Sequence, residues 1–313
     1  MQHPDPSSAV QWLKIGPESQ GQRIDNYLLR ILKGVPKSKI YNILRKGEVR
    51  VNRGRIKPDY RLQEGDQVRL PPLRQSRPDA PVTPSRELVE RLRAAIIYED
   101  DGILALNKPS GLAVHKGSGV RCGVIEALRA IYPHWPFLEL AHRLDRDTSG
   151  CLVLAKQPTV LRELHQALQA SDSAKHYLVL LRGHWQKGVQ SVDLPLRKNS
   201  IRGGERMVII DQAGKFAHSR FSPVTLHPTA SLLDVAITTG RTHQIRVHAA
   251  SLEHPVAGDE KYGDPEFNKL MRTRYGLQRL FLHAHSLMLK LPGRDLAVDA
   301  PLPDELRAVL DKL

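Results

Sequence analysis

With 313 residues the chain is longer than one average domain, so two domains are expected. Hydrophobic residues at 41% and charged residues at 26% exclude a disordered chain, and 47 Lys plus Arg against 33 Asp plus Glu give a net charge of +14. That sign points to a polyanionic partner, nucleic acid or an acidic membrane surface. Cys122 and Cys151 form no C-x-x-C and no disulfide framework, so a reducing cytoplasm is expected, with both thiols serving as small apolar groups. Residues 1–20 lack the apolar core of a secretion signal, and no apolar run approaches the roughly 18–20 residues of a membrane span. The expectation is a cytoplasmic protein without a membrane partner. No heptad or long apolar stripe is visible, so a monomer is expected.

Ile24, Leu28, Leu29 and Leu32 recur at helical spacing after Asp25, and a second helix follows Pro36, with Ile40, Ile43 and Leu44 on one face, ending at Gly47. Residues 48–52 and 67–70 alternate as strands, with Arg53-Gly54 as a turn. Within this module, between Lys37 and Arg61, stand Lys37, Lys39, Arg45, Lys46, Arg50, Arg53, Arg55, Lys57 and Arg61 against only Glu48 and Asp59. Half of the chain's net charge therefore lies in one small folded segment. Scattered cations are usually a solvated face, but this density favours phosphate contacts. Pro71, Pro72, Pro78, Pro81 and Pro84 make residues 73–89 a semi-rigid linker. Beyond it, strands at 95–98, 103–107, 151–155, 177–181 and 231–238 mix with helices around Val124, Leu164 and Ile245. They do not alternate strictly, so an α+β domain with a mixed, mostly antiparallel sheet is expected over 90–313.

Familiar cofactor loops are missing: Gly117-Ser-Gly119 is not a dinucleotide fingerprint, and no phosphate-cradling G-x-x-x-x-G-K-[ST] occurs. Fourteen histidines form no H-E-x-x-H, and His243 and His248 are five apart, so core or capping roles are expected and neither metal nor cofactor is assigned. Ser110 and Ser149 read as turn residues. Two runs stand out. In His142-Arg-Leu-Asp-Arg-Asp-Thr-Ser-Gly150, Asp145 sits between Arg143 and Arg146 beside a buried strand, as a nucleophile or electrostatic stabiliser kept ionised by cations, or as an Asp–Arg pair locking a turn. In Gly240-Arg-Thr-His-Gln-Ile-Arg-Val-His248, Gly240 and Thr242 read as a helix start. Arg246 then falls in the first turn, where the helix dipole disfavours a cation unless a carboxylate or phosphate meets it. By itself Tyr177 reads as a half-buried strand aromatic.

Asn107-Lys-Pro-Ser-Gly111, the run at 142–150, Lys175-His-Tyr177, the run at 240–248, Gly258-Asp259 with Tyr262-Gly263, and LFLHA at 280–284 resemble, in the same order, the motifs of the RluA-type pseudouridine synthases. The resemblance spans essentially all of 90–313. Residues 20–72 resemble the αL-type RNA-binding domain of the fourth small-subunit ribosomal protein. The whole chain most resembles members acting on 23S ribosomal RNA. The resemblance implies cofactor-free isomerisation of uridine to pseudouridine. Asp145 would be the nucleophile and Tyr177 would stack on the uracil as base or base-positioning group. Arg246 would pair with Asp145, Arg143 would enter the RNA stack as the target base leaves, and Arg241 would be a further RNA contact. A stacked uridine must be extruded before a carboxylate can reach it, and phosphate contacts offset that cost. The alternatives are an RNA-binding ribosome-assembly factor without catalysis, and the same chemistry on other ribosomal or transfer RNA uridines.

Overall fold

The computed structural model describes residues 10–32, 35–73, 83–117, 122–170, 172–200 and 206–313. It divides into two compact units, 1–81 and 82–313, the division falling inside the proline-rich stretch. Residues 74–82 of the expected linker lie outside the described residues. The linker's expected end at 89 does not match, because α3 already begins at Arg86 behind a Ser85 cap whose side chain accepts the Leu88 N–H.

The first unit contains β1 (Gln11–Lys14), α1 (Ile24–Ile31), α2 (Lys37–Arg45), β2 (Arg50–Val51), β3 (Gly54–Arg55) and β4 (Gln67–Leu70), with sheet order β1-β4-β2-β3. Strand β1 was not expected. It pairs antiparallel with β4 and so extends the module upstream of residue 20. Ile24, Leu28, Ile40, Ile43, Leu44, Val49 and Val68 form its core. Buried Asp25 joins the two helices: its carboxylate accepts from the Arg23 guanidinium, its neighbour Asn26 N–H and the Tyr41 hydroxyl. The turn between β2 and β3 is Asn52-Arg53, both with positive φ (49° and 69°), rather than Arg53-Gly54. Two left-handed central residues match the strand twist of a two-residue hairpin, and they place Arg53 at the tip.

The second unit contains α3 (Arg86–Ala94), β5 (Ile96–Glu99), β6 (Ile103–Lys108), α4 (Val124–Ile131), β7 (Glu139–Leu140), β8 (Ser149–Ala155), α5 (Pro158–Gln169) and β9 (Ala174–Arg182). It continues through β10 (Gln190–Asp193), β11 (Leu196–Ser200), β12 (Arg206–Ile210), β13 (His218–Leu226), β14 (Ala230–Ile237) and α6 (Gln244–Ser251). It ends with α7 (Pro265–Tyr275), β15 (Leu282–Leu291), β16 (Arg294–Asp299) and α8 (Asp304–Leu310). The main sheet runs β10-β13-β14-β9-β15-β8-β6-β5, with β16 beside β15 and β7 beside β8. Among the described residues only the β15–β8 pairing is parallel, so the mixed, mostly antiparallel α+β architecture is present. Every residue of β8 is buried, as expected of a strand covered on both faces. Gly150 makes the parallel contact possible: its φ is +112°, and a Cβ there would lie 2.1 Å from the Ala284 carbonyl oxygen.

Candidate active site

Asp145 stands on the loop between β7 and β8, and a second loop holds that loop in place. Lys108, fully buried at the end of β6, donates to the carbonyls of Pro109, Leu112 and Arg146 at 2.8–3.1 Å. Gly111 N–H reaches the Arg146 carbonyl, Arg146 Nε reaches the Gly111 carbonyl, and the Ser110 hydroxyl donates to the Asp147 carbonyl. Burial, together with Arg279, pulls the Lys108 ammonium down to about 7. The three carbonyls oppose this by accepting all of its N–H groups. Ser110 is thus a strut between loops, and Ser149 is no turn residue but the first residue of β8, with no exposed surface.

A cleft of about 70 Å³ is lined by Arg143, Asp145, Tyr177, Arg241, His243 and Arg246, among others. The structure therefore brings the expected residues of this unit together, but the ion pairing differs from expectation. Arg246 does not pair with Asp145. Its Nε and Nη2 each lie 2.6 Å from an oxygen of Asp259, a bidentate pair that is almost wholly buried. Asp259 is the carboxylate that a cation in the first turn of α6 requires. Its Oδ1 also accepts the N–H groups of Lys261 and Tyr262, and Asn268 donates to its carbonyl. Burial alone would raise the pKa of Asp259, but the hydrogen bonds and charge of Arg246 outweigh burial and hold it below its ordinary value. Nor does Asp145 form the turn-locking pair with Arg143 or Arg146. Among the described residues the basic side chain within 4 Å of it is His243, with Nε2 at 3.9 Å from Oδ2.

Sequence reasoning passed over His243. It is the residue before α6 and takes a left-handed φ of 55°, unusual outside glycine, so the helix begins at Gln244 and not at Thr242. Gln244 fixes this turn, accepting from the Thr239 hydroxyl and Arg241 N–H and donating to the His218 carbonyl and Ser219. Tyr262 accepts the Val208 N–H and donates to His243 Nδ1, an assignment that uses every donor and leaves the ring proton on Nε2, facing Asp145. Burial lowers the His243 pKa, against the pull of Asp145, which favours the neutral ring. The signal available in sequence was the motif itself, which placed a histidine three residues before Arg246.

Tyr177 is half-buried on β9, opposite Val235 and Ala284. Burial and then the charge of Asp145 hold its phenol well above the ordinary range, so it remains protonated. Buried Cys151 is pushed up to about 12 by burial and is no nucleophile. Two further cavities open in this unit. One of about 1000 Å³ is lined by Lys108, Asp147, Arg246 and Arg279, among others. The second, of about 550 Å³, is lined by Arg143, Arg197, Lys198, Lys215 and Arg241, and no carboxylate is among its described lining residues.

Beneath the site runs a directed chain: Arg279 Nη2 donates to Ser149 Oγ (2.6 Å), Ser149 to His283 Nδ1 (2.9 Å), and His283 Nε2 to the Ala300 carbonyl (3.0 Å). It requires a neutral His283, whose pKa burial lowers to about 4. Between pH 6.5 and 4 the unfolded chain takes up a proton that the folded ring refuses. Stability is therefore complete above about pH 6.5 and falls with pH toward 4, by about 3 kcal/mol in full. Urea unfolding at pH 7 and pH 4.5 should show a smaller loss for His283→Gln than for the unaltered chain. An equal loss in both would contradict this.

In the first unit, Lys37, Lys39, Arg45, Lys46, Arg50, Arg53, Arg55 and Lys57 are all exposed. None has a carboxylate within 4 Å among the described residues. Arg50 and Arg55 are nevertheless held, donating to the Gly47 and Lys46 carbonyls.

These features are those of an RNA-modifying catalytic unit joined to a basic RNA-binding module, and comparison with known proteins agrees. Residues 102–251 match the model of the RNA pseudouridylate synthase family, and residues 22–68 match that of the S4 domain. The chain belongs to the RNA pseudouridylate synthase family. It is 51% identical over 310 residues to the ribosomal large subunit pseudouridine synthase C of Haemophilus influenzae, covering 98% of this chain and 96% of that one. Against the protein of the same name from Escherichia coli K12 it is 51% identical over 309 residues, covering 97% of each. Among solved structures, human RNA pseudouridylate synthase domain containing 1 superposes with a TM-score of 0.59 at 26% identity, over 73% of this chain and 90% of that one.

Proposed function

We propose that this protein isomerises uridine to pseudouridine in large-subunit (23S) ribosomal RNA, acting as a cytoplasmic monomer. The observation that carries the reading is Asp145, placed in a cleft with Tyr177, Arg143, His243 and Arg246 and without the arginine partner that a merely structural carboxylate would have. The names of the full-length relatives support ribosomal RNA as the substrate. In this reading the extruded uridine enters the cleft and the glycosidic bond to the ring nitrogen breaks. The uracil turns, a carbon–carbon bond to the sugar forms, and the proton on carbon 5 passes to the Asp145 carboxylate, free again once that bond closes, and on to water. Asp145 attacks or stabilises the positive charge that develops as the glycosidic bond opens, as carboxylates do in glycosidases. Tyr177, a neutral phenol in the resting cleft, serves as a stacking surface and positions the base. His243 directs an N–H toward Asp145 and orients it. Arg246, fixed by Asp259, supplies positive charge to the cleft without neutralising Asp145 directly. Arg143, exposed at the rim, fills the gap left by the departing base.

The basic residues of 20–72 hold the RNA, and Arg241 with the neighbouring cation-lined cavity takes its phosphates near the site. Replacing Lys37, Lys39, Arg45 and Lys46 together by Ala should weaken binding of 23S fragments and reduce the salt slope by up to about 3, since each lost phosphate contact removes roughly 0.7–0.9. An unchanged slope would mean that the module serves something else. The activity is tested with unmodified 23S RNA carrying tritium at carbon 5 of uridine. The reading expects release of label, and no release from any large-subunit fragment would overturn it. A binding-only assembly factor would release none and has no use for this cleft.

A further inference from the structure

Three strands of the main sheet converge on a set of side chains that the proposed reaction does not use. His176 on β9, Asp234 on β14 and His285 on β15 come from adjacent strands in the order β14-β9-β15. Their ligating atoms all lie within 4.8 Å of one another. His176 Nδ1 is 2.7 Å from Asp234 Oδ1, and His285 Nε2 is 2.7 Å from Asp234 Oδ2, so one carboxylate receives both rings. The backbone is shaped for this. Ala284 pairs with Tyr177 and Ser286 with His176, which leaves His285 as the extra residue of a β-bulge. A bulge re-aims a side chain. Here the bulged residue carries the imidazole that reaches across β9 to Asp234. All three side chains retain roughly a quarter to a third of their exposure, so an ion from solvent can reach them.

We propose that His176, Asp234 and His285 form a binding site for a divalent transition ion of the zinc class. Two imidazole nitrogens and one carboxylate oxygen are the borderline donors that zinc and cobalt prefer over the all-oxygen shells of magnesium and calcium. Bonds of about 2.0–2.2 Å from three such atoms require only side-chain rotation, because the strands already bring the donors together. Each neutral ring moves its proton to the outer nitrogen, Nε2 of His176 and Nδ1 of His285, and gives the freed lone pair to the ion; a protonated ring releases one proton. Water completes the coordination. The ion would clamp three strands at the residue next to Tyr177, on the alternate face of β9. Its place is structural, and the isomerisation does not pass through it.

Titration of the untagged, metal-free full-length chain with cobalt, followed by visible ligand-field absorption and calorimetry, tests the assignment without reference to activity. The expected result is one equivalent bound with micromolar affinity and displaced by zinc. Asp234→Asn and His285→Gln should each weaken binding by at least about tenfold. His218→Gln, which alters a separate His–Asp pair with Asp193, should leave it unchanged. Thermal unfolding in chelator establishes that the variants are folded. If the unaltered chain takes up no cobalt at millimolar concentration, or if Asp234→Asn binds it equally well, the site is a hydrogen-bonded triad and the proposal fails.

Discussion

Asp145→Asn is expected to bind 23S fragments as tightly as the unaltered chain and to turn them over roughly ten-thousand-fold more slowly. The substitution is isosteric, and the basic side chain within 4 Å of it among the described residues is His243, at 3.9 Å and neutral, so little of the fold depends on this carboxylate. In the proposed reading affinity comes from phosphate contacts made elsewhere, which the amide leaves intact. In the proposed reaction turnover depends on the carboxylate itself, since an amide neither attacks as a nucleophile nor stabilises positive charge comparably. Filter binding and single-turnover tritium release on the same preparation separate the two effects. Turnover within tenfold of the unaltered chain would remove Asp145 from the chemistry.

The second large effect is one of stability. Asp259→Ala should destabilise the larger unit by about 3–5 kcal/mol, because it leaves the guanidinium of Arg246 buried and unpaired. The two side chains are 7% and 0% exposed, and Asp259 also accepts two backbone N–H groups, so no water can substitute freely. Replacing both partners, Arg246→Met with Asp259→Leu, should cost much less, since no charge is then stranded. Urea unfolding of the single and double variants makes the comparison. A loss below about 1 kcal/mol for Asp259→Ala would show that Arg246 finds another partner in the cleft.

The sequence carried most of the element pattern, because helices such as α2 and buried strands such as β8 announce themselves by apolar period. It missed β1, whose alternation is weak and whose partner β4 is more than fifty residues away. It placed Asp145, Tyr177 and Arg246 in one cleft through motifs rather than spacing, and it misassigned the partner of Arg246. Nothing local distinguishes Asp145 from Asp259 as that partner. The choice is made by α6 packing its first turn against the 258–262 segment, a tertiary fact. His243 was passed over because its importance lies in a left-handed backbone and in a hydrogen bond to Tyr262, neither of which has a periodic signature. The Ser149–His283–Arg279 chain was invisible for a similar reason, since its members meet only through the parallel pairing of β8 with β15.

On the proposed function, this chain makes pseudouridine in large-subunit ribosomal RNA with Asp145. The most direct measurement is a pseudouridine map of 23S RNA from cells lacking the protein, supplied in turn with the unaltered chain and with Asp145→Asn. One or more pseudouridines should vanish in its absence, return with the unaltered chain and stay missing with Asp145→Asn. A map that does not change when the protein is removed would contradict it.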